Sequence, residues 1–353
     1  MRNHIANKIL SFLLILQILF IEIASINPQW IEKYYSNGLY PVISGLLRRL
    51  LGWIPISVGD LMYGVLLLII LRWIWLLIQT RFYPFVAHLY TFIAFISVVF
   101  FFFHLFWGLN YYREPLQKKL HIERLNYTKE ELVQTTQKHI DRLNKIQLAI
   151  TKNDSIPVRV PYKRRKMYKM ASLQYRNFYI DSIDFHFKGK SIKSSLISTP
   201  LSYMGFSGYL NPFTGESQVN KKMIQTEIPI TTCHEMAHQL GFASEGEANY
   251  IGYLACTDTD DLYFQFSGEL LAVRHLLWSL ARTDLALYKR QRARIHRGVL
   301  KNMQITHDFW DSYKNPLEPY FKKFYDLFLK ANKQTKGIQE YNEMVGYLIN
   351  NPL

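Results

Sequence analysis

Three long apolar runs in the N-terminal third of the chain constrain its fold more than any other feature. They run from Ile9 to Ile26, Leu61 to Ile78 and Pro84 to Trp107. A helix rises about 1.5 Å per residue, so each run is long enough to cross a hydrocarbon layer of roughly 30 Å. Inside that layer a backbone has no water to bond, and a single segment must satisfy itself as a helix. Runs of this length are rare in soluble cores. The pattern therefore predicts a three-helix membrane region over residues 1–109 and a polar domain over residues 110–353.

The first run follows a basic tail with Arg2 and Lys8. It is longer than a signal-peptide core and lacks a small-x-small cleavage site, which predicts a retained span. Arg72 interrupts the second run off-centre, where it can snorkel, and Trp73 and Trp75 suit an interface. An N-terminus inside the cell places Arg2, Lys8, Arg72 and Arg81 in the cytoplasm and leaves Lys33, Arg48 and Arg49 outside. The expectation is a multi-pass membrane protein with its C-terminal domain extracytoplasmic.

Charge is concentrated after Trp107. The 42 Lys+Arg against 27 Asp+Glu give a formal +15, which favours anionic surfaces and excludes an acidic disordered chain. Two cysteines exclude a disulfide scaffold. The basic run Pro161 to Lys169 has interleaved tyrosines, but no nucleic-acid-binding motif accompanies it. It reads as a solvated loop or a membrane-facing surface, and no nucleic acid partner is expected.

Thr128-Lys-Glu-Glu131 predicts a capping box that opens a helix with Leu132, Ile140 and Leu143 on its apolar face. Short strand-like pieces follow: Ser182 to Phe187 alternates, Ser195 to Tyr203 is rich in small and β-favouring residues, and Gly205, Gly208 and Gly215 mark turns. Helices are predicted at about 230–240, 245–256, 266–282, 285–300, 317–331 and 336–349. A block of strands followed by a block of helices gives an α+β class, mostly helical with a small sheet.

The segment from Thr231 to Tyr250 carries the chemistry. His234 and His238 are four apart, so on a helix their imidazoles share a face and can share one zinc ion. Glu235 lies beside the first ligand, where a carboxylate can take a proton from water at the metal and later deliver it to a leaving amine. Gly241 lets the chain turn. Two acidic residues compete for third ligand. Glu247 has a structural explanation as the far member of a Ser244-x-x-Glu247 capping box, which favours Glu245 and leaves Glu247 as the alternative. Asn249 shares a face with Glu245 and is placed to hydrogen-bond the outer nitrogen of a zinc-bound His. Cys233 and Cys256 read as helix packing. His275, His307 and Tyr341 are available to stabilise an oxyanion. Glu216 to Asn220 is the candidate edge strand for pairing with an extended substrate.

His234-Glu-Met-Ala-His238 with Glu245-Gly-Glu-Ala-Asn249 resembles the gluzincin metallopeptidases, in particular the membrane-bound Ste24 and HtpX-like branch. That resemblance implies two His ligands, Glu235 as general base, Glu245 as third ligand and Asn249 in place of the family's supporting aspartate. Six residues separate His238 from Glu245, a shorter gap than in that branch. The gap with Gly241 is closer to the metzincin pattern, but Ser244 stands at its third His position. A likeness over most of the chain combines three spans, Trp107-Gly-Leu-Asn-Tyr-Tyr-Arg113, Gly208-Tyr-Leu-Asn-Pro-Phe-Thr-Gly-Glu216 and the His234 segment. It is to a bacterial membrane-protein family classed as a domain of unknown function, which implies a zincin-like domain and no particular substrate.

The leading expectation is a membrane-anchored zinc metallopeptidase acting on a peptide or protein beside the lipid bilayer. The alternative is an anchored binding or scaffold protein with a structural or vestigial zinc site. Three spans without an inverted repeat argue against transport. Elemental analysis of detergent-purified protein is expected to find about one zinc per chain, lost in His238→Ala. A zinc-supplied wild type without metal removes the basis of the peptidase reading and leaves a membrane protein of unknown role.

Overall fold

A computed structural model describes residues 2–176, 178–180, 183–186, 189, 191–334 and 343–351. The chain opens with α1 (Arg2–Ala24), then α2 (Pro28–Trp30), a π-helical stretch (Ile31–Leu39) and α3 (Tyr40–Leu51). Next come α4 (Val58–Gln79), α5 (Phe85–Phe106), a 3-10 turn (Gly108–Tyr112) and α6 (Leu116–Lys119). The polar part holds α7 (Lys129–Thr151), α8 (Arg164–Gln174), β1 (Tyr179–Ile180), β2 (Ile183–Asp184), β3 (Ile192–Ser194), α9 (Ser198–Met204), β4 (Gly208–Asn211) and β5 (Glu216–Val219). It ends with α10 (Ile228–Gln239), α11 (Glu245–Thr257), α12 (Leu262–Thr283), α13 (Leu285–Arg292), α14 (Arg297–Asp311), α15 (Glu318–Ala331) and α16 (Glu343–Asn350). The fold is α+β, mostly helical.

Among the described residues, three helices are long and apolar enough to cross a membrane: Ile5–Ala24, Val58–Gln79 and Phe85–Phe106. They coincide with the three apolar runs, and the molecule is a membrane protein. Side chains on α1 and α5 meet in step. Asn7 donates to Thr91 Oγ1 (2.9 Å), Ser11 to the Tyr90 carbonyl (3.1 Å) and Gln17 to Ser97 Oγ (3.2 Å). From Asn7–Thr91 to Gln17–Ser97 the contacts move toward the C-terminal end of both helices, so α1 and α5 run parallel, as the first and third of three spans must. Interhelical hydrogen bonds of this kind hold helices together where lipid supplies no hydrophobic drive.

The C-terminal ends of α1 and α5 and the N-terminal end of α4 all meet the polar domain. Asp60, in the first turn of α4, accepts from Ser195 Oγ (3.0 Å), the Leu196 N–H (2.6 Å) and the Tyr209 hydroxyl. Glu216 on β5 is fully buried and accepts the Gly59 N–H (2.6 Å), the Val58 N–H (3.3 Å) and Thr214 Oγ1 (3.1 Å), with Lys193 Nζ as its ion-pair partner. A carboxylate is favoured at a helix N-terminus because four N–H groups there lack partners.

Residues 28–51 lie outside the three candidate spans and pack at the junction between spans and domain. Ile31, Tyr35 and Tyr40 join Trp107, Leu109, Tyr111 and Tyr112 in one apolar cluster. The main core lies between α7, α8, α10, α11, α12 and α16, around Met167, Tyr175, Tyr250 and Phe264. The capping box at Thr128 is formed, with Thr128 Oγ1 accepting from Glu131 N (3.1 Å) and Glu131 accepting from Thr128 N (2.7 Å).

Several local expectations are corrected. Residues 198–204 form helix α9 rather than a strand. Pro200 falls in its first turn, where a missing N–H costs nothing, and Gly205 ends it at φ +81°. The basic run Lys163 to Lys169 is largely helix α8, which buries Met167, Tyr168 and Ala171. The helix expected at 285–300 is two helices. Asn144 on α7 takes up the Arg294 carbonyl and the His296 N–H (both 2.9 Å), so the chain turns between α13 and α14. Of the helix expected at 336–349, residues 336–342 lie outside the described residues; so do Ser182 and Phe187 of the alternating segment.

Glu216→Ala leaves Lys193 buried without its counter-charge and frees two N–H groups of α4. It is expected to destabilise the protein by about 3–5 kcal/mol, read as a lower melting temperature in detergent. The double change Lys193→Met with Glu216→Leu is expected to cost less than the two single changes summed.

Candidate metal centre

The site begins with the helix that carries both histidines. Pro229 stands in the first turn of α10, and the helix ends in a paired turn: Gly241 N bonds to the His238 carbonyl (2.9 Å) and Phe242 N to that of Ala237 (3.2 Å). Gly241 sits at φ +85°, and a Cβ there would lie 2.8 Å from Asn110 Oδ1. That turn returns the Phe242 carbonyl to His238 Nδ1 at 2.7 Å. That contact assigns a proton to Nδ1 and turns Nε2 toward the cavity, where it can ligate a metal ion once its own proton is displaced.

Ser244 caps α11 and places Glu245 in its first turn, where the helix dipole favours a carboxylate. Glu245 Oε2 lies 3.3 Å from His234 Nε2 and 3.7 Å from His238 Nε2. One donor atom from each of these residues falls within 4.8 Å of the other two. Two donors at about 2.1 Å from a tetrahedral ion stand about 3.4 Å apart, so the donor set fits a divalent metal of the N/O-binding kind. Glu245 Oε1 accepts from the Tyr325 hydroxyl of α15. The helices α10 and α11 approach closely at Gly252, where a Cβ would come 2.9 Å from the His234 backbone nitrogen.

Glu247 is elsewhere. Its carboxylate accepts the Leu116 N–H at 2.6 Å, at the start of α6. The expected capping box is only half formed, since Ser244 accepts from Glu247 N at 3.5 Å but the glutamate side chain points away. Asn249 lines the cavity with the histidines, yet the hydrogen bond expected of it is not made. Phe242 occupies the outer nitrogen of His238, and His234 Nδ1, Glu235 Oε2 and Asn249 Nδ2 are buried with no hydrogen-bond partner among the described residues. Cys233 and Cys256 are buried free thiols outside the donor cluster.

Glu235 is almost wholly buried, and Gly208 of β4 makes room for its carboxylate; a Cβ at 208 would sit 2.6 Å from Glu235 Oε1. Burial pushes the Glu235 carboxyl up to about 7, with His234 and His238 pulling it down and Glu245 pushing it up. His238 is disfavoured as a cation by burial, but its hydrogen bond and charge contact with Glu245 carry it up to about 9. Burial also opposes ionisation of Glu245, and the two imidazoles outweigh it, holding the carboxyl well below the usual range.

The expected edge strand at 216–220 is not an edge. The sheet order is β3-β5-β4, with β5 parallel to β3 and antiparallel to β4, so Glu216–Val219 is central and buried. Its Ser217 hydroxyl bonds the Glu235 carbonyl (2.9 Å), fixing the strand to α10. Among the described residues both outer strands, β3 and β4, have an unpaired side, and of the two it is β4 that lines the cavity holding the histidines. Of the oxyanion candidates, His275 lines the cavity, His307 is exposed on α14 away from it, and Tyr341 lies outside the described residues.

Sequence reasoning passed over Tyr325, one of 24 tyrosines, because no local motif separates it from the rest. It also missed what supports the last turn of α10. Trp107 Nε1 donates to the His238 carbonyl (3.1 Å), Tyr40 to that of Gln239 (2.8 Å), and Arg113 to those of Leu240 (3.4 Å) and Gly241 (2.8 Å). The Arg113 guanidinium also lies 4.1 Å above the Phe242 ring and pairs with Glu32 at 2.8 Å.

Fold and site together define a three-helix membrane protein whose α+β domain carries a His-His-Glu cluster at the membrane end. Residues 35–349 match the family described as "Protein of unknown function (DUF3810)", and the chain belongs to it. No curated protein and no solved structure matches.

Gly252→Ala forces α11 away from α10 and separates Glu245 from His234. Metal affinity in equilibrium dialysis is expected to fall at least about tenfold with helix content unchanged. Gly64→Ala on α4, where a Cβ meets nothing within 4 Å, serves as the neutral control.

Proposed function

We propose that this protein is a membrane-anchored zinc-dependent metallopeptidase. The observation that carries the reading is the convergence of His234 Nε2, His238 Nε2 and Glu245 Oε2 beside the buried carboxylate of Glu235. The resemblance of the His234 segment to gluzincins supports the same assignment. Zinc in that position would supply Lewis acidity, polarising a scissile carbonyl and acidifying water.

The chain's own residues supply the rest. Glu235 removes a proton from the attacking water and returns it to the leaving amine; a carboxyl raised to about 7 is suited to both transfers. Phe242 holds His238 in the tautomer that presents Nε2. Tyr325 orients Glu245 through its hydroxyl. An extended peptide would align along the unpaired side of β4, where Gly208 lets it approach Glu235.

The alternative is a binding or scaffold protein with a structural ion. It needs a closed shell, yet Glu247 is committed to Leu116 and Cys233 lies outside the cluster. Three protein donors facing a cavity favour a catalytic site over a structural one. For orientation we propose a bacterial cytoplasmic membrane with the domain on the outer side, which keeps the basic residues Arg2, Lys8 and Arg81 inside.

Glu235→Gln is expected to retain metal and lose about 10²–10⁴-fold in turnover of a peptide library, read by mass spectrometry of new termini. Retained activity rules Glu235 out as base. Only the carboxylate form accepts a proton, so kcat/KM is expected to fall about tenfold per pH unit on the acid limb. A divalent ion held by His234, His238 and Glu245 would lower that limb, so it is expected between the ordinary carboxylate range and about 7.

A further inference from the structure

The cavity at the metal centre does not stop at the domain. One cavity of about 1260 Å³ contacts His234, Glu235, His238 and Glu245, and also Ile18 and Ile21 of α1 and Phe95, Ile96, Val99 and Phe100 of α5. Phe95 lies eleven residues before the end of α5 at Phe106, about 16 Å along the helix, or roughly half the hydrocarbon thickness. The volume exceeds the roughly 300–1,000 Å³ of ordinary small-molecule pockets. Its polar end carries the acid-base chemistry and the unpaired side of β4. Its other end is apolar and lies at the depth of the bilayer.

Helix α15 covers the junction between the two ends. Tyr325 and Phe328 turn inward, with Phe328 packing on Phe103 and Tyr111 at ring separations of 6.0 Å. Beside them Leu317, Tyr320, Phe324 and Leu327 are each more than half exposed, and Phe324 also borders the cavity. Lys333, just beyond its end, pairs with Glu22 at the end of α1 (3.1 Å). This arrangement continues the lipid-facing surface of the spans and suits a helix lying in the membrane interface.

From these observations, and resting on the metallopeptidase reading, we infer that the substrate is a polypeptide with a membrane-embedded hydrophobic segment. That segment lies in the apolar branch between α1, α5 and α15, and the extended stretch just outside it lies along β4 at Glu235. An extended peptide is favoured over a lipid because the polar end offers a strand edge. An apolar segment would leave the bilayer without passing through water.

The test uses full-length Glu235→Gln protein in proteoliposomes, with benzoylphenylalanine placed singly at Phe95, Val99 or Tyr209, and at lipid-facing Leu68 as background. Two synthetic peptides share a short randomised polar stretch. One continues into a Leu-rich segment of about 20 residues, and the other ends before it. The anchored peptide is expected to label Phe95, Val99 and Tyr209 at least about tenfold more than the free one and above the Leu68 background, since several apolar side chains are buried. Equal labelling by both peptides, or none above background at Phe95 and Val99, overturns the inference. So does a photoactivatable acyl-chain lipid that occupies those positions and is not displaced by the anchored peptide. In zinc-supplied wild type, an anchored peptide that labels but is never cleaved sinks the peptidase reading and leaves the access route standing. Cleavage of both peptides without labelling at Phe95 and Val99 does the reverse.

Discussion

The geometry of the centre depends on how the last turn of α10 is satisfied. A helix ends with carbonyls that have no partner within it, and here they are buried at the junction with the membrane. Trp107, Tyr40 and Arg113 donate to the carbonyls of His238, Gln239, Leu240 and Gly241. All three donors come from the part of the chain that forms or flanks the spans. The position of His238 is therefore set as much by the membrane region as by the domain that contains it. Arg113 in turn is held by Glu32, so a segment outside the three candidate spans also supports the site.

The same dependence appears on the strand side. The N-terminus of α4 is held by Glu216 and Asp60, and through Asp60 it holds Tyr209 on β4. The adjacent residue Gly208 faces Glu235. Spans and site thus share two rigid connections, one through α10 and one through β4. Close approaches at Gly208, Gly241 and Gly252 leave little slack between them. A cavity between these connections necessarily borders both the domain and the bilayer, which explains why its lining mixes ionisable groups with phenylalanines.

Much of this was legible in the residues alone. Spans follow from composition and length, because hydrocarbon imposes one requirement on every residue of the run. The spacing of His234 and His238 and the acidic pair beyond Gly241 are local patterns, read through helical periodicity. The capping box at Thr128 is local as well. Misreadings occurred where a local preference met a non-local partner. Residues 198–204 look β-favouring but form a helix, Asn144 breaks the helix expected at 285–300, and the side chain of Glu247 is drawn from its own cap to the Leu116 N–H.

Composition and length specified the need for a membrane, and helical spacing specified the helix face that presents the two histidines. Tertiary structure alone decided which glutamate meets the histidines, which outer strand borders the cavity, and that Tyr325 reaches Glu245 from a helix 80 residues away. The physical reason is that helical spacing places side chains relative to their own axis only. Convergence of donors from different axes is set by packing, by buried carbonyls that require donors, and by glycines where two backbones meet.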